Sequence, residues 1–208
     1  MALGGGSHLH QKIIKMINIP FIHDFFWEGF PSNKDQLLDF IENAQEDKNQ
    51  QHTWTEHCCI EVKGLQIEYN TVHNFIPLLT TFFRDLETIS NSGIQLTGLW
   101  INTYKRYFFQ EVHDHFPSHI SGVLFLTDQQ EGDAKFYFAN KDSSQVQKPL
   151  FNLVDSSNNV FAARRYIKAE RGKVILFPSY LQHGVTAHKS DYPRRTASFN
   201  FNIIDAVT

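Results

Sequence analysis

The stretch "EVHDHFPSHISGVLFL", residues 111–126, places His113, His115 and His119 close together ahead of Gly122 and an apolar run. Side chains two residues apart on a strand share a face, so His113 and His115 point together along an extended chain while Asp114 points away. Two imidazoles on one face can share a metal ion, or they can belong to an ordinary histidine-bearing strand. Outward from this stretch the texture is that of a β protein. From Gln95 onward, short apolar and aromatic runs alternate with polar, turn-like segments: "GLWINTYKRYF" (98–108), "GVLFLTD" (122–128), "AKFYFAN" (134–140), "KVILFP" (173–178) and "TASFNFNI" (196–203). Such spacing predicts a β sandwich or barrel.

The N-terminal part reads differently. "NKDQLLDFIENAQE" (33–46) sets Leu37, Leu38, Phe40 and Ile41 at helical spacing behind Ser32 or Asn33 as a cap. A second amphipathic helix is predicted in "NFIPLLTTFFRDLETIS" (74–90), where Pro77 is tolerated because it falls near the start. The expected organisation is α+β and mainly β: one domain over 16–208, with helical support over about 16–94 and a β core over about 95–208. The Gly-rich opening, residues 1–15, reads as a leader or disordered arm, which removes His8 and His10 from the argument. The polar segment 140–159 is expected to be a long loop or lid, and together with the residues before Trp54 it would form a rim beside a site.

With 208 residues, 41% of them hydrophobic, the chain can bury a substantial core, and a formal net charge of -3 leaves no broad basic footprint for nucleic acid. No apolar run approaches the ~20 residues of a membrane span, and no signal-peptide core is present. The two cysteines, Cys58 and Cys59, are sequence neighbours, which excludes a disulfide framework and points to a reducing, cytoplasmic setting. Their segment "TEHCCIEVKG" (55–64) lacks the second ligand pair that a zinc site needs, so it reads as a strand. The nineteen phenylalanines suit a core and a site wall better than a stacking platform for bases. No feature of the sequence specifies an oligomeric state.

Chemistry enters with two further segments. "RGKVILFPSYLQHGV" (171–185) offers His183 after an apolar strand and a turn, as a third imidazole; imidazole suits iron, copper, nickel and zinc alike. In "DYPRRTASFNFNI" (191–203), alternation puts Arg194, Thr196, Ser198 and Asn200 on one face and Arg195, Ala197 and Phe199 on the other. An arginine directed into a β core requires an anion.

The ordered set Trp100-x-Asn102, then HxH with "SGV" (121–123), then Gly172-x4-"FPS"-x3-His183-x-Val185, then Arg194-x3-"SFN" (198–200) resembles the Fe(II)- and 2-oxoglutarate-dependent dioxygenases. The similarity is to the prolyl-hydroxylase-like branch common in bacteria and phages, and it covers about half the chain. It implies a double-stranded β-helix, a cupin-like jelly roll with iron at its mouth. By motif position it also implies His113, His115 and His183 as metal ligands and Arg194 on the distal carboxylate of 2-oxoglutarate. Tyr104 would assist that arginine and Ser198 would be a further cosubstrate contact; His119 and Ser121 share strand parity with His113 and Phe125, so either could add a hydrogen bond to the cosubstrate. The family's usual second ligand is an aspartate; here His115 stands in its place, and Asp114 would serve only if a bulge turned it inward. Three neutral imidazoles leave an Fe(II) site near +2, where two imidazoles and a carboxylate leave it near +1. Tyr107 replaces a family glycine, and Phe125 a family tyrosine.

The implied reaction takes 2-oxoglutarate and O2, releases succinate and CO2, and hydroxylates an unactivated C–H bond of a peptide, a protein or a small molecule, with a peptidyl prolyl or similar residue favoured. Two other readings stay open: a three-histidine iron oxygenase that does not use 2-oxoglutarate, and a non-catalytic β-helix binding module.

Overall fold

The structure, a computed structural model, describes residues 15–19, 24–50, 58–84, 92–139 and 164–205. The leader (but for Lys15), the segment 140–159 and the residues directly before Trp54 lie outside the described residues. Twelve strands are defined among them: β1 (Lys15–Ile19), β2 (Asp24–Gly29), β3 (Cys58–Cys59), β4 (Glu61–Gly64), β5 (Ser92–Tyr104), β6 (Phe109–His113), β7 (Ile120–Phe125), β8 (Phe136–Ala139), β9 (Arg164–Ile167), β10 (Val174–Pro178), β11 (His183–Val185) and β12 (Arg194–Asp205). They form two antiparallel sheets, a larger one in the order β1-β2-β10-β7-β12-β5-β4 and a smaller one in the order β3-β6-β11-β8-β9.

Alternation along the central strands sorts their side chains into two cores. Leu124 of β7, Leu176 of β10 and Phe199 and Phe201 of β12 join a cluster with Leu37, Leu38, Ile41, Phe75 and Leu78. The intervening residues, Val123 and Phe125 of β7 and Ile175 and Phe177 of β10, meet Phe136, Phe138 and Val185 of the smaller sheet in a second cluster. β7 is therefore buried along its whole length, with helices behind it and a sheet in front. Each such side chain taken fully from water contributes about 1.5–3 kcal/mol.

Helix α1 (Lys34–Asn43) buries Leu37, Leu38 and Ile41, as its periodicity requires. Its N-cap is Asn33, but the side chain makes no capping bond and donates instead to the Asn74 carbonyl at 2.9 Å, which ties α1 to the 3-10 helix Thr71–Phe75. Helix α2 (Ile76–Arg84) follows directly, with Pro77 in the first turn, where its missing N–H is no loss. The N-terminal part is less helical than expected: β1 to β4 lie in it, and β2 pairs with β10 while β4 pairs with β5. β3 and β4 fall in the segment 55–64 that reads as a strand, whereas β1 and β2 are too short for their alternation to register against the helices. β9 is likewise a four-residue strand that the sequence pattern does not reveal. No described helix is long and apolar enough to cross a membrane.

Candidate active site

His113 ends β6 and His183 begins β11, and the two face each other as register partners. His115 lies two residues past the end of β6, in the turn, so the pleat does not set its orientation as a regular strand through it would have done. Its backbone N–H donates to the Ser179 carbonyl at 2.8 Å, and this contact with the β10–β11 turn aims the ring inward. The three ring centroids lie 4.3–5.2 Å apart, and one nitrogen from each ring falls within 4.8 Å of the other two. It is the one His/Cys/Asp/Glu group of this kind among the described residues. Asp114 stays exposed outside it, accepting the Phe116 N–H at 3.2 Å.

The hydrogen bonds also select the tautomers. Nδ1 of His113 meets the Glu111 carbonyl at 2.8 Å, Nδ1 of His183 the Leu181 carbonyl at 2.9 Å, and Nδ1 of His115 the Asn200 Oδ1 at 2.9 Å. Each acceptor requires a proton on Nδ1 and so leaves Nε2 as the ligating lone pair, open in His115 and His183 and, in His113, accepting from the Gln110 amide at 3.2 Å, a contact that a metal ion would replace. Burial lowers all three pKa values, that of His115 to about 4 and that of the fully enclosed His183 well below the ordinary range, with the neighbouring imidazoles adding to the effect at His183. The three rings are neutral at pH 7, the form that binds a metal.

At the inner end of the same pocket sits Arg194, 2% exposed. Its guanidinium lies 5.1 Å from the Tyr104 ring centroid and 5.6 Å from that of Phe125, and none of its three side-chain nitrogens has a hydrogen-bond partner. Burial pulls its pKa below the ordinary value, but an arginine remains charged. The register explains the placement: Arg194 pairs with Tyr104 across β12 and β5, and Thr196 and Ser198 follow it on the pocket face. Two aromatic faces compensate part of a buried cation. A carboxylate would complete it.

Of the other expected contacts, Tyr104 and Ser198 line the pocket. The Tyr104 hydroxyl donates to Gln110 Oε1 at 2.9 Å, and the Ser198 hydroxyl accepts from Asn102 Nδ2 at 2.9 Å, leaving its own proton to donate. His119 does not line it. That residue is exposed, its Nδ1 accepts the Ile203 N–H at 2.9 Å, and the parity that placed it beside His113 is broken by the intervening turn. Gln110 was not legible in the sequence, yet its amide reaches His113 Nε2 at 3.2 Å and joins that ring to Tyr104. Only its position three residues before His113 could have signalled it. Tyr107 occupies its family glycine's position with φ 70°, the left-handed conformation that favours glycine.

The family model described as "Putative 2OG-Fe(II) oxygenase" matches residues 98–200. No curated protein matches the chain by sequence. Among solved structures, the viral collagen prolyl hydroxylase vCPH from Paramecium Bursaria Chlorella virus-1, in its 2OG complex, is 12% identical with a TM-score of 0.54 over 85% of this chain and 94% of that one. A prolyl-4-hydroxylase from Pseudomonas putida is 11% identical with a TM-score of 0.54 over 85% and 92%. HygX from Streptomyces hygroscopicus, with nickel, 2-oxoglutarate and hygromycin B bound, is 12% identical with a TM-score of 0.52 over 85% and 82%. The fold is thus the double-stranded β-helix, and with the family match across the strands that carry the histidines and Arg194, the chain belongs to the 2OG-Fe(II) oxygenases.

Proposed function

We propose that the protein hydroxylates an unactivated C–H bond, with Fe(II) held by His113, His115 and His183 and 2-oxoglutarate anchored by Arg194. The observation that carries this reading is the buried guanidinium with no hydrogen-bond partner in the pocket of the three histidines. A buried guanidinium whose hydrogen bonds are unmet is costly even with Tyr104 and Asp133 offsetting part of its charge, so a fold that maintains one is suited to an anion. The residues fit the groups: three Nε2 lone pairs offer one face of a metal ion, and a planar fork of donors suits a carboxylate. When bound, iron and 2-oxoglutarate supply oxidative decarboxylation by O2, giving succinate and CO2 and placing one oxygen atom in the C–H bond.

The chain's own part is to bind, orient and exclude water. Arg194 holds the far carboxylate with Tyr104 and Ser198 beside it, and the aromatic walls, Phe136 among them, keep the pocket dry. The substrate in this reading is a peptidyl prolyl or similar residue. It draws support from the resemblance to prolyl hydroxylases, although hygromycin B in HygX shows that the fold also accommodates a small molecule. The test is succinate formation by the Fe(II)-loaded chain against prolyl peptides and a small-molecule panel, with mass spectrometry for a gain of one oxygen. Product from a prolyl peptide supports the reading. Turnover with no 2-oxoglutarate consumed would transfer the site to an oxygenase of the other three-histidine type.

A further inference from the structure

His115 stands in a turn, where the pleat cannot hold a ring, and it replaces a carboxylate that would have offered a metal either of two equivalent oxygens. An imidazole must be presented by one nitrogen, and a closed circuit of hydrogen bonds surrounds it. The backbone N–H of His115 donates to the Ser179 carbonyl at 2.8 Å; Ser179 Oγ meets Ser121 Oγ at 2.8 Å; Ser121 Oγ donates to Asn200 Oδ1 at 2.9 Å; and Asn200 Oδ1 meets Nδ1 of His115 at 2.9 Å. Both serines are fully buried.

Proton counting gives this circuit a direction. The one hydroxyl proton of Ser121 goes to Asn200, so the proton between the two serines comes from Ser179. Asn200 Oδ1 then accepts twice, which requires His115 to donate from Nδ1 and leaves Nε2 as its free lone pair. The register keeps the parts together, since Asn200 pairs with Ser121 across β12 and β7.

We propose that Asn200 is a positioning residue that fixes the tautomer and plane of His115, so that a histidine can occupy the ligand position usually taken by an aspartate. The inference rests on His115 being a metal ligand. Ni(II) titration of the full chain by calorimetry, without 2-oxoglutarate, tests it, with thermal melts by circular dichroism run alongside. Asn200→Leu, which keeps the bulk and removes the acceptor, weakens Ni(II) binding by roughly 10–100-fold. Asn200→Asp, which keeps an oxygen at the same reach, binds about as tightly as the wild type. In the His115→Asp background there is no imidazole to orient, and adding Asn200→Leu changes the affinity little.

Wild-type affinity in Asn200→Leu overturns the proposal. So does an equal loss in the His115→Asp background, which would show a merely structural role. If Asn200→Leu does not fold, Asn200→Ala takes its place in both backgrounds. Failure of the wild-type chain to bind Ni(II) overturns the ligand reading and this inference with it.

Discussion

At Arg194 and Arg195 adjacent residues of the same type have opposite environments. Arg194 is buried against Tyr104 and Phe125 with unmet donors, whereas Arg195 is half-buried on the other face of β12, its backbone N–H bonded to Thr127 Oγ1 at 3.2 Å. Breaking a buried charge pair costs about 3–5 kcal/mol, and ~1.4 kcal/mol is a factor of ten. Arg194→Ala is therefore expected to raise the apparent KM for 2-oxoglutarate by about 100-fold or more, and Arg195→Ala by less than about tenfold. A larger loss at Arg195, in titrations of the two Fe(II)-loaded variants, would refute the assignment. His113→Ala and His183→Ala each remove one of three donors and are expected to weaken metal binding beyond the roughly 10–100-fold typical of a supporting residue. His115→Asp is expected to retain the metal, since a carboxylate at that position lowers the site's charge by one. Calorimetry on the three variants checks both statements, and full retention in His113→Ala would sink the ligand set.

At the scale of elements, the two-faced burial of the central strands makes the packing exacting. A Cβ added at Gly122 of β7 would lie 2.1 Å from Phe199 Cε2 and 2.8 Å from Leu176 Cδ2, and both side chains are fully buried with nowhere to retreat. Gly122→Ala is expected to destabilise by about 1–3 kcal/mol through overpacking, a fall in Tm of roughly 2–12 °C for a chain of this size. A thermal melt at the wild-type value would show that the layer between β7 and the helices is looser than these contacts imply. β12 illustrates how one element serves both layers, with Ala197, Phe199 and Phe201 in the helix-side core and Arg194, Thr196 and Ser198 on the pocket.

At the scale of the whole molecule, we propose that residues 16–208 fold as one domain, because strands from both ends of the chain share the larger sheet. The three site histidines then couple stability to pH. Their pKa values are lowered in the fold, so between the folded value, about 4 for His115, and the ordinary ~6.5 the unfolded chain binds more protons. The metal-free protein is expected to have its full stability above about pH 6.5 and to lose it progressively toward pH 4. Urea unfolding at pH 7.5, 6 and 5 measures this, and a midpoint that does not fall below pH 6.5 contradicts the burial of these rings. Such unfolding is also expected to show a single transition by circular dichroism and tryptophan fluorescence.

Much of this architecture was legible in the chain. The alternation of "TASFNFNI" and the apolar run of "GVLFLTD" are local properties of a strand, and so β12, β7 and the inward face of Arg194 could be read directly from residue order. The HxH pair and the distant His183 were visible as ligand types. What residue order could not supply was any contact made across turns and between sheets. His115 is aimed by Ser179 and Asn200, Gln110 joins Tyr104 to His113, and His119 turns away to Ile203. Periodicity holds only while a strand remains regular, and β6 ends at His113. Beyond that point the direction of a side chain depends on which distant backbone groups require a partner, and only the folded chain brings them within reach.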